Sequence, residues 1–179
     1  MYNLLLVDDE PLIKVAFQSA VEWGKNGFLL AATASNGQEA LHIVETQHID
    51  AVITDLKMPG MDGLALIHEL KKLNFTGPIL VLSNYSDFDS VRAALTDGAY
   101  DYFLKINMNG ESIGEHLEKM ADLLRVQQQR QTEEDHRSFA IEAQKKENAL
   151  IHCAQWVTST AEPSPASNPF SMLPEPLSF

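Results

Sequence analysis

One cysteine, Cys153, in 179 residues leaves no room for an intramolecular disulfide or a cysteine zinc site. Basic residues are scarce too: 13 Lys and Arg stand against 25 Asp and Glu, a formal charge of −12. Contacts to nucleic-acid phosphates need clustered Lys and Arg. Neither the part up to Arg125 nor the part beyond it is basic, so no nucleic-acid contact is expected of this chain. A run of about 18 apolar residues, the mark of a membrane span, is also missing. The opening MYNLLLVDDE is too short and too acidic for a secretory signal. A soluble cytoplasmic protein with no membrane partner is expected.

Present instead are short apolar runs alternating with helical patterns. Asn3 to Val7, Phe28 to Ala34, Ala51 to Thr54, Ile79 to Leu82 and Tyr100 to Leu104 have the length and composition of strands. Between them Ile13, Phe17, Ala20 and Val21 recur at helical spacing, as do Ala40, Leu41 and Val44. Leu66, Ile67, Leu70 and Leu73 repeat that spacing, and so do Phe88, Val91, Ala94 and Leu95. Gly24 and Asn26-Gly27 offer a stop for the first helix, Pro78 can open a strand, and Gly98 can cap the fourth helix. Asn36 stands at a helix N-cap with Glu39 as its capping-box partner. Five strand-then-helix repeats with nearly continuous apolar strands predict an α/β fold, a doubly wound five-stranded parallel sheet.

Such sheets place ligands beyond the carboxyl ends of their strands, near a topological switch point. The polar residues at those ends are Asp8 and Asp9, then Asp55, Ser83 and Lys105. In the strand order 2-1-3-4-5, three carboxylates converge at one rim. Like charges so close raise one another's pKa unless a cation intervenes. Hard oxygen ligands with room for water suit Mg²⁺. With Lys105 and Ser83 across the sheet, a cation, an ammonium and a hydroxyl surround Asp55. That cradle suits phosphoryl transfer to Asp55 as nucleophile. Taken singly, Asp8 reads as a cap or loop residue, Asp62 as the N-cap of the next helix, Ser83 as a turn residue and Tyr102 as a strand aromatic. Only their joint pattern carries the chemistry. His42, His48, His68 and His116 have no partner at metal-ligand spacing and read as surface residues. Met58, Met61 and Met108 read as packing around the pocket.

The motifs DDE at 8–10, TDLKMPGMDG at 54–63, LS at 82–83 and DYFLK at 101–105 resemble the receiver domain of two-component response regulators. VEWGKNGF at 21–28 and LSNYSDF at 82–88 resemble, more narrowly, regulators with an AraC-type DNA-binding output domain. The resemblance implies phosphorylation of Asp55 by a sensor histidine kinase. It implies Mg²⁺ bound by Asp9, Asp55 and the backbone carbonyl of Lys57, with Asp8 helping through water. It further implies that Lys105 pairs with the phosphoryl oxygens, and that Ser83 moves toward them while Tyr102 changes rotamer. The surface of the fourth helix, fifth strand and fifth helix then changes, and the family commonly dimerises through it.

Two departures bear on the switch. Ile106 follows Lys105 where the family has proline on a cis bond; a cis bond before a non-proline residue costs roughly 3 kcal/mol, so a trans bond and a displaced Lys105 are expected. Asn84 follows Ser83 where the family favours a small residue, and is expected to narrow access. The first departure sustains a rival reading, an unphosphorylated module that works by constitutive dimerisation. A third reading, an aspartyl-nucleophile phosphatase, needs a second Asp where Lys57 stands.

The receiver is expected over residues 1–125. Ile113, Leu117, Met120 and Leu124 form one apolar face of a fifth helix, which fades at Gln127 and Gln131. Phe139, Ala143, Leu150 and Val157 resume a loose heptad interrupted by Lys146, so residues 126–158 are expected to form a helical linker or partial coiled coil that can dimerise. Residues 159–179 hold five of the eight prolines and read as disordered. A DNA-binding output domain is not expected within this chain.

Overall fold

The computed structural model describes residues 1–84 and 87–159, with side chains to residue 152. Their elements, in order, are β1 (Tyr2–Val7), α1 (Pro11–Ala20), β2 (Phe28–Ala34), α2 (Gly37–Thr46), β3 (Ala51–Asp55), α3 (Gly63–Lys72), β4 (Ile79–Ser83), α4 (Phe88–Thr96), β5 (Asp101–Leu104) and α5 (Gly110–Ser159). A short 3-10 turn, Lys105–Asn107, follows β5. The strands form one parallel sheet in the order β2-β1-β3-β4-β5. That is the doubly wound arrangement expected from the sequence.

Alternation along each strand divides the core into two layers. Leu5, Val7, Val52 and Val81 face Ala40 of α2, Leu66, Ile67 and Leu70 of α3, and Val91 and Ala94 of α4. Leu4, Leu6, Ile53, Leu80, Leu82 and Phe103 face the other way, toward Phe17 of α1 and Ile113, Leu117, Met120 and Leu124 of α5. Strands buried on both faces must be apolar there, and residues 4–7 of β1, 51–53 of β3 and 79–82 of β4 are. The anchoring methionines behave as gap fillers: Met58 and Met61 pack in the first layer and Met108 in the second.

Caps follow their residue types. Asn36 Oδ1 accepts the Glu39 amide at 2.9 Å, and Asp62 Oδ1 accepts the Ala65 amide at 2.8 Å. The reciprocal bond of the first cap reaches one residue further back than a capping box prescribes, with Glu39 Oε2 accepting from the Ser35 amide. Gly98, at φ +101, closes α4.

Two helices depart from the spacing. α1 stops at Ala20, ahead of Gly24 and Asn26-Gly27, and Val21 is already extended. The start of α5 explains this: a Cβ on Gly110 would strike the Ala20 carbonyl oxygen, so tertiary packing occupies the place of a further turn. In α4 only Val91 and Ala94 are buried; Phe88 and Leu95 remain exposed. Nine residues present little more than one inward turn to the sheet.

The chain divides into two units, Met1–Arg130 and Gln131–Phe179. In the second, helix continues to Ser159, with Phe139 and Leu150 exposed. The disorder expected for 159–179 falls, from residue 160 on, outside the described residues. Among the described residues no helix is long and apolar enough to cross a membrane.

Candidate functional site

Three strands end in carboxylates or a hydroxyl that the sheet has carried inside. Asp8 follows β1, Asp55 closes β3 and Ser83 closes β4, and all three are buried. Neighbouring registers align these ends: Val7 pairs with Thr54, and Asp55 pairs with Leu82, one residue before Ser83. Close packing holds the turn beyond Asp55. Gly63 donates its amide to the Leu56 carbonyl at 3.0 Å, and a Cβ at Gly63 would overlap the Asp55 carbonyl oxygen.

Each buried carboxylate divides its oxygens in the same way. Asp8 Oδ1 accepts the Glu10 amide at 2.8 Å, while Asp8 Oδ2 lies 3.0 Å from Lys105 Nζ. Asp55 Oδ1 accepts the Leu56 amide at 2.8 Å, while Asp55 Oδ2 lies 2.9 Å from the same ammonium. Glu10 Oε1 accepts a third bond from Lys105 at 3.2 Å. The Lys105 side chain is only 7% exposed. Its bond to Ile106 is trans, no cis peptide occurring among the described residues. The expected displacement is absent: three carboxylates aim the ammonium although the backbone turns into a 3-10 helix at Lys105.

Carboxylate oxygens of Asp8, Asp9 and Asp55 lie within 4.8 Å of one another. Burial raises the Asp8 pKa, and the Glu10 amide and Lys105 offset it only in part. Burial alone would lower the Lys105 pKa, but bonds to Asp55 and Asp8 outweigh it and hold the ammonium above the ordinary lysine value. One lysine does not balance this many carboxylates. Asp8 Oδ2 is buried with only the Lys105 ammonium beside it, so the donor set has spare lone pairs for a hard divalent cation such as Mg²⁺.

Ser83 Oγ is buried with no hydrogen-bond partner among the described residues. Ser83, Asn84, Phe88, Val91, Tyr102 and Leu104 line a groove of about 690 Å³ between α4 and β5. Tyr102 is 42% exposed. Asn84 is exposed on the wall of that groove. Lys57 lies two residues beyond Asp55, and its ammonium pairs with Asp87, whose side chain is 2% exposed.

Three features were not legible at the sequence level. Glu10 had only its place in the acidic run as a signal. Asp87 stood only as part of the LSNYSDF run, because its ion-pair partner is thirty residues away in the chain. His116 is half-buried rather than a surface residue: its ring packs edge-on against Phe103 at 5.3 Å, and Nδ1 lies 2.9 Å from the Ser112 carbonyl.

Comparison with known proteins points one way. The family model described as "Response regulator receiver domain" matches residues 4–118. The "uncharacterized transcriptional regulatory protein YesN" of Bacillus subtilis is 36% identical over 125 residues, 70% of this chain and 34% of that protein. Transcriptional regulatory protein MalR of the same organism is 37% identical over 108 residues, 59% of this chain and 44% of that protein. The chain thus spans less than half the length of these curated relatives. Among solved structures, the REC domain of AraT, a response regulator from Geobacillus stearothermophilus, shares 28% identity at a TM-score of 0.66, covering 71% of this chain and 98% of its own. A two-component transcriptional regulator AraC from Clostridium phytofermentans shares 26% at a TM-score of 0.66, covering 72% and 98%.

Proposed function

The chain belongs to the response-regulator receiver family, and from that membership we propose that it accepts a phosphoryl group on Asp55 from a sensor histidine kinase in the cytoplasm. The reaction is Mg²⁺-dependent. The observation that carries this reading is the Lys105 ammonium, set 2.9 Å from Asp55 and 3.0 Å from Asp8 at the carboxyl ends of β1 and β3.

A carboxylate oxygen of Asp55 attacks phosphorus in line, the bond to the donor's imidazole breaks, and an acyl phosphate results. Lys105 then pairs with a phosphoryl oxygen in place of an Asp55 oxygen. Asp9, Asp55 and the Lys57 carbonyl would hold Mg²⁺, with Asp8 helping through water, and the ion would supply charge neutralisation for the transferred phosphoryl group. The Asp8, Asp9 and Asp55 oxygens fit such an ion by number, hardness and spacing. Apart from its own phosphorylation and dephosphorylation the domain turns over no substrate.

Phosphorylation biases two packings that lie close in energy. Ser83 Oγ, buried without a partner, gains one in the phosphoryl group. Tyr102 moves within the groove beside it. The surface of α4, β5 and α5 changes and pairs two copies, or the C-terminal helix does. Residues 1–125 act as the receiver, residues 126–158 as a helical linker, and transcription is regulated by an output domain joined to it in a longer regulator. The reading as an unphosphorylated module depended on a displaced Lys105, and no observation now favours it.

The test is transfer from a radiolabelled, autophosphorylated sensor kinase with Mg²⁺. Label that is acid-stable, labile to hydroxylamine and absent from Asp55→Asn supports an acyl phosphate on Asp55. Label retained by Asp55→Asn counts against that residue.

A further inference from the structure

A carboxylate removed from water is expensive unless it is paired and hydrogen-bonded, and Asp87 is such a group outside the acidic cluster. It stands at the N-cap of α4 yet makes no side-chain cap bond to the helix. Its oxygens turn elsewhere. Oδ1 meets the Lys57 ammonium, and Oδ2 accepts the Asn84 amide at 3.0 Å. Without Asp87, Lys57 would be an ordinary solvated lysine, since its side chain is 64% exposed.

The two residues so gripped are not arbitrary. Lys57 follows Asp55 by two positions, and Asn84 follows Ser83 directly. β3 and β4 are adjacent in the sheet, with Asp55 opposite Leu82. Asp87 therefore ties together the chain leaving the candidate phosphoacceptor and the chain leaving the candidate switch hydroxyl. On either side of Lys57, Leu56 and Met58 are buried in the core. They fix the path of the turn, and the Lys57 side chain adds a further hold on the exposed residue between them.

We propose that Asp87 is a positioning residue for the metal site: by holding Lys57 it orients the backbone carbonyl there toward the ion. The proposal rests on the metal reading given above and goes beyond it. Partners that orient a ligand without touching the ion commonly change metal affinity about 10- to 100-fold.

Charge alone gives a different pattern, and this separates the two explanations. Lys57→Met removes a cation near the site and, by electrostatics only, tightens Mg²⁺. Asp87→Asn removes an anion and loosens it, and the double variant returns close to the parent. Positioning instead requires both single variants to bind Mg²⁺ about tenfold more weakly. The double variant should then be no weaker than either single, because the pair acts as one unit. Lys57→Arg, which keeps the cation, should bind as the parent does.

The experiment is calorimetric titration of the full chain with Mg²⁺, with a thermal melt of each variant as the folding control. Equal or tighter Mg²⁺ binding by folded Lys57→Met overturns the proposal while leaving the metal site in place. A parent that takes up no Mg²⁺ overturns the metal reading and the positioning role together. If Asp87→Asn fails to fold, Lys57→Met against Lys57→Arg decides alone.

Discussion

The Lys105 ammonium sits 2.9 Å from the Asp55 carboxylate across a backbone whose next bond is trans. Side-chain ion pairs from β1 and β3, rather than the peptide geometry at Ile106, set its aim. Removing the lysine leaves Asp8 and Asp55 buried without their counter-ion. Lys105→Met should lose about 3 kcal/mol in chelator at neutral pH, measured by urea denaturation. Mg²⁺ should restore part of that loss.

Asp8 gives the stability a pH dependence of known sign. Its carboxyl pKa is raised in the fold by burial. A raised acid contributes stability that is present below its unfolded pKa and lost as pH rises through the folded one. In chelator, Asp8→Asn should therefore gain on the parent as pH climbs out of the ordinary carboxylate range, and the advantage should level off once pH is above the raised pKa of Asp8. Lys105, also raised, contributes stability that persists through the ordinary lysine range and fades only above it. Denaturation midpoints of both proteins across pH test the first sign.

Asp9 belongs to the same cluster but has no lysine contact among those described. In chelator Asp9→Ala should melt higher than the parent, because one of three crowded carboxylates is gone. With Mg²⁺ the order should reverse. A parent at 100-fold excess over its dissociation constant gains about 2.7 kcal/mol, whereas the variant gains little. Thermal melts with and without Mg²⁺ show whether the curves cross.

Much of this was readable along the chain, for identifiable reasons. Leu4 to Val7 or Ile79 to Leu82 can hardly be anything but strands buried on two faces, and strand ends in such a sheet are where polar residues converge. Asp8, Asp55 and Lys105 were therefore placed together by topology. The stripe Ile113, Leu117, Met120 and Leu124 is local and survives as the buried face of α5. What failed to show depends on partners distant in sequence. The end of α1 is set by Gly110, the exposure of Phe88 and Leu95 by how shallowly α4 seats, and the Lys57–Asp87 pair by two loops meeting. The bond at Ile106 is trans as the missing proline implies, but the displaced Lys105 expected with it does not occur, because Asp8, Glu10 and Asp55 hold the ammonium in place.

Gly63 tests the close packing beneath the site. A methyl group there meets the Asp55 carbonyl oxygen, so either α3 or the end of β3 must shift. Gly63→Ala should cost about 1–3 kcal/mol and weaken Mg²⁺ binding. Asn36→Ala, which removes a cap on α2, should cost about 1 kcal/mol and leave Mg²⁺ binding as it was. Denaturation and titration of the two variants side by side separate loss of stability from damage to the site.

The most direct measurement is intact mass after incubation with Mg²⁺ and acetyl phosphate, for the parent and Asp55→Asn. One phosphoryl gain in the parent, absent from Asp55→Asn and absent in chelator, is the predicted result. A folded parent that binds Mg²⁺ yet gains no phosphoryl group from acetyl phosphate or from a cognate kinase would contradict the assignment of Asp55.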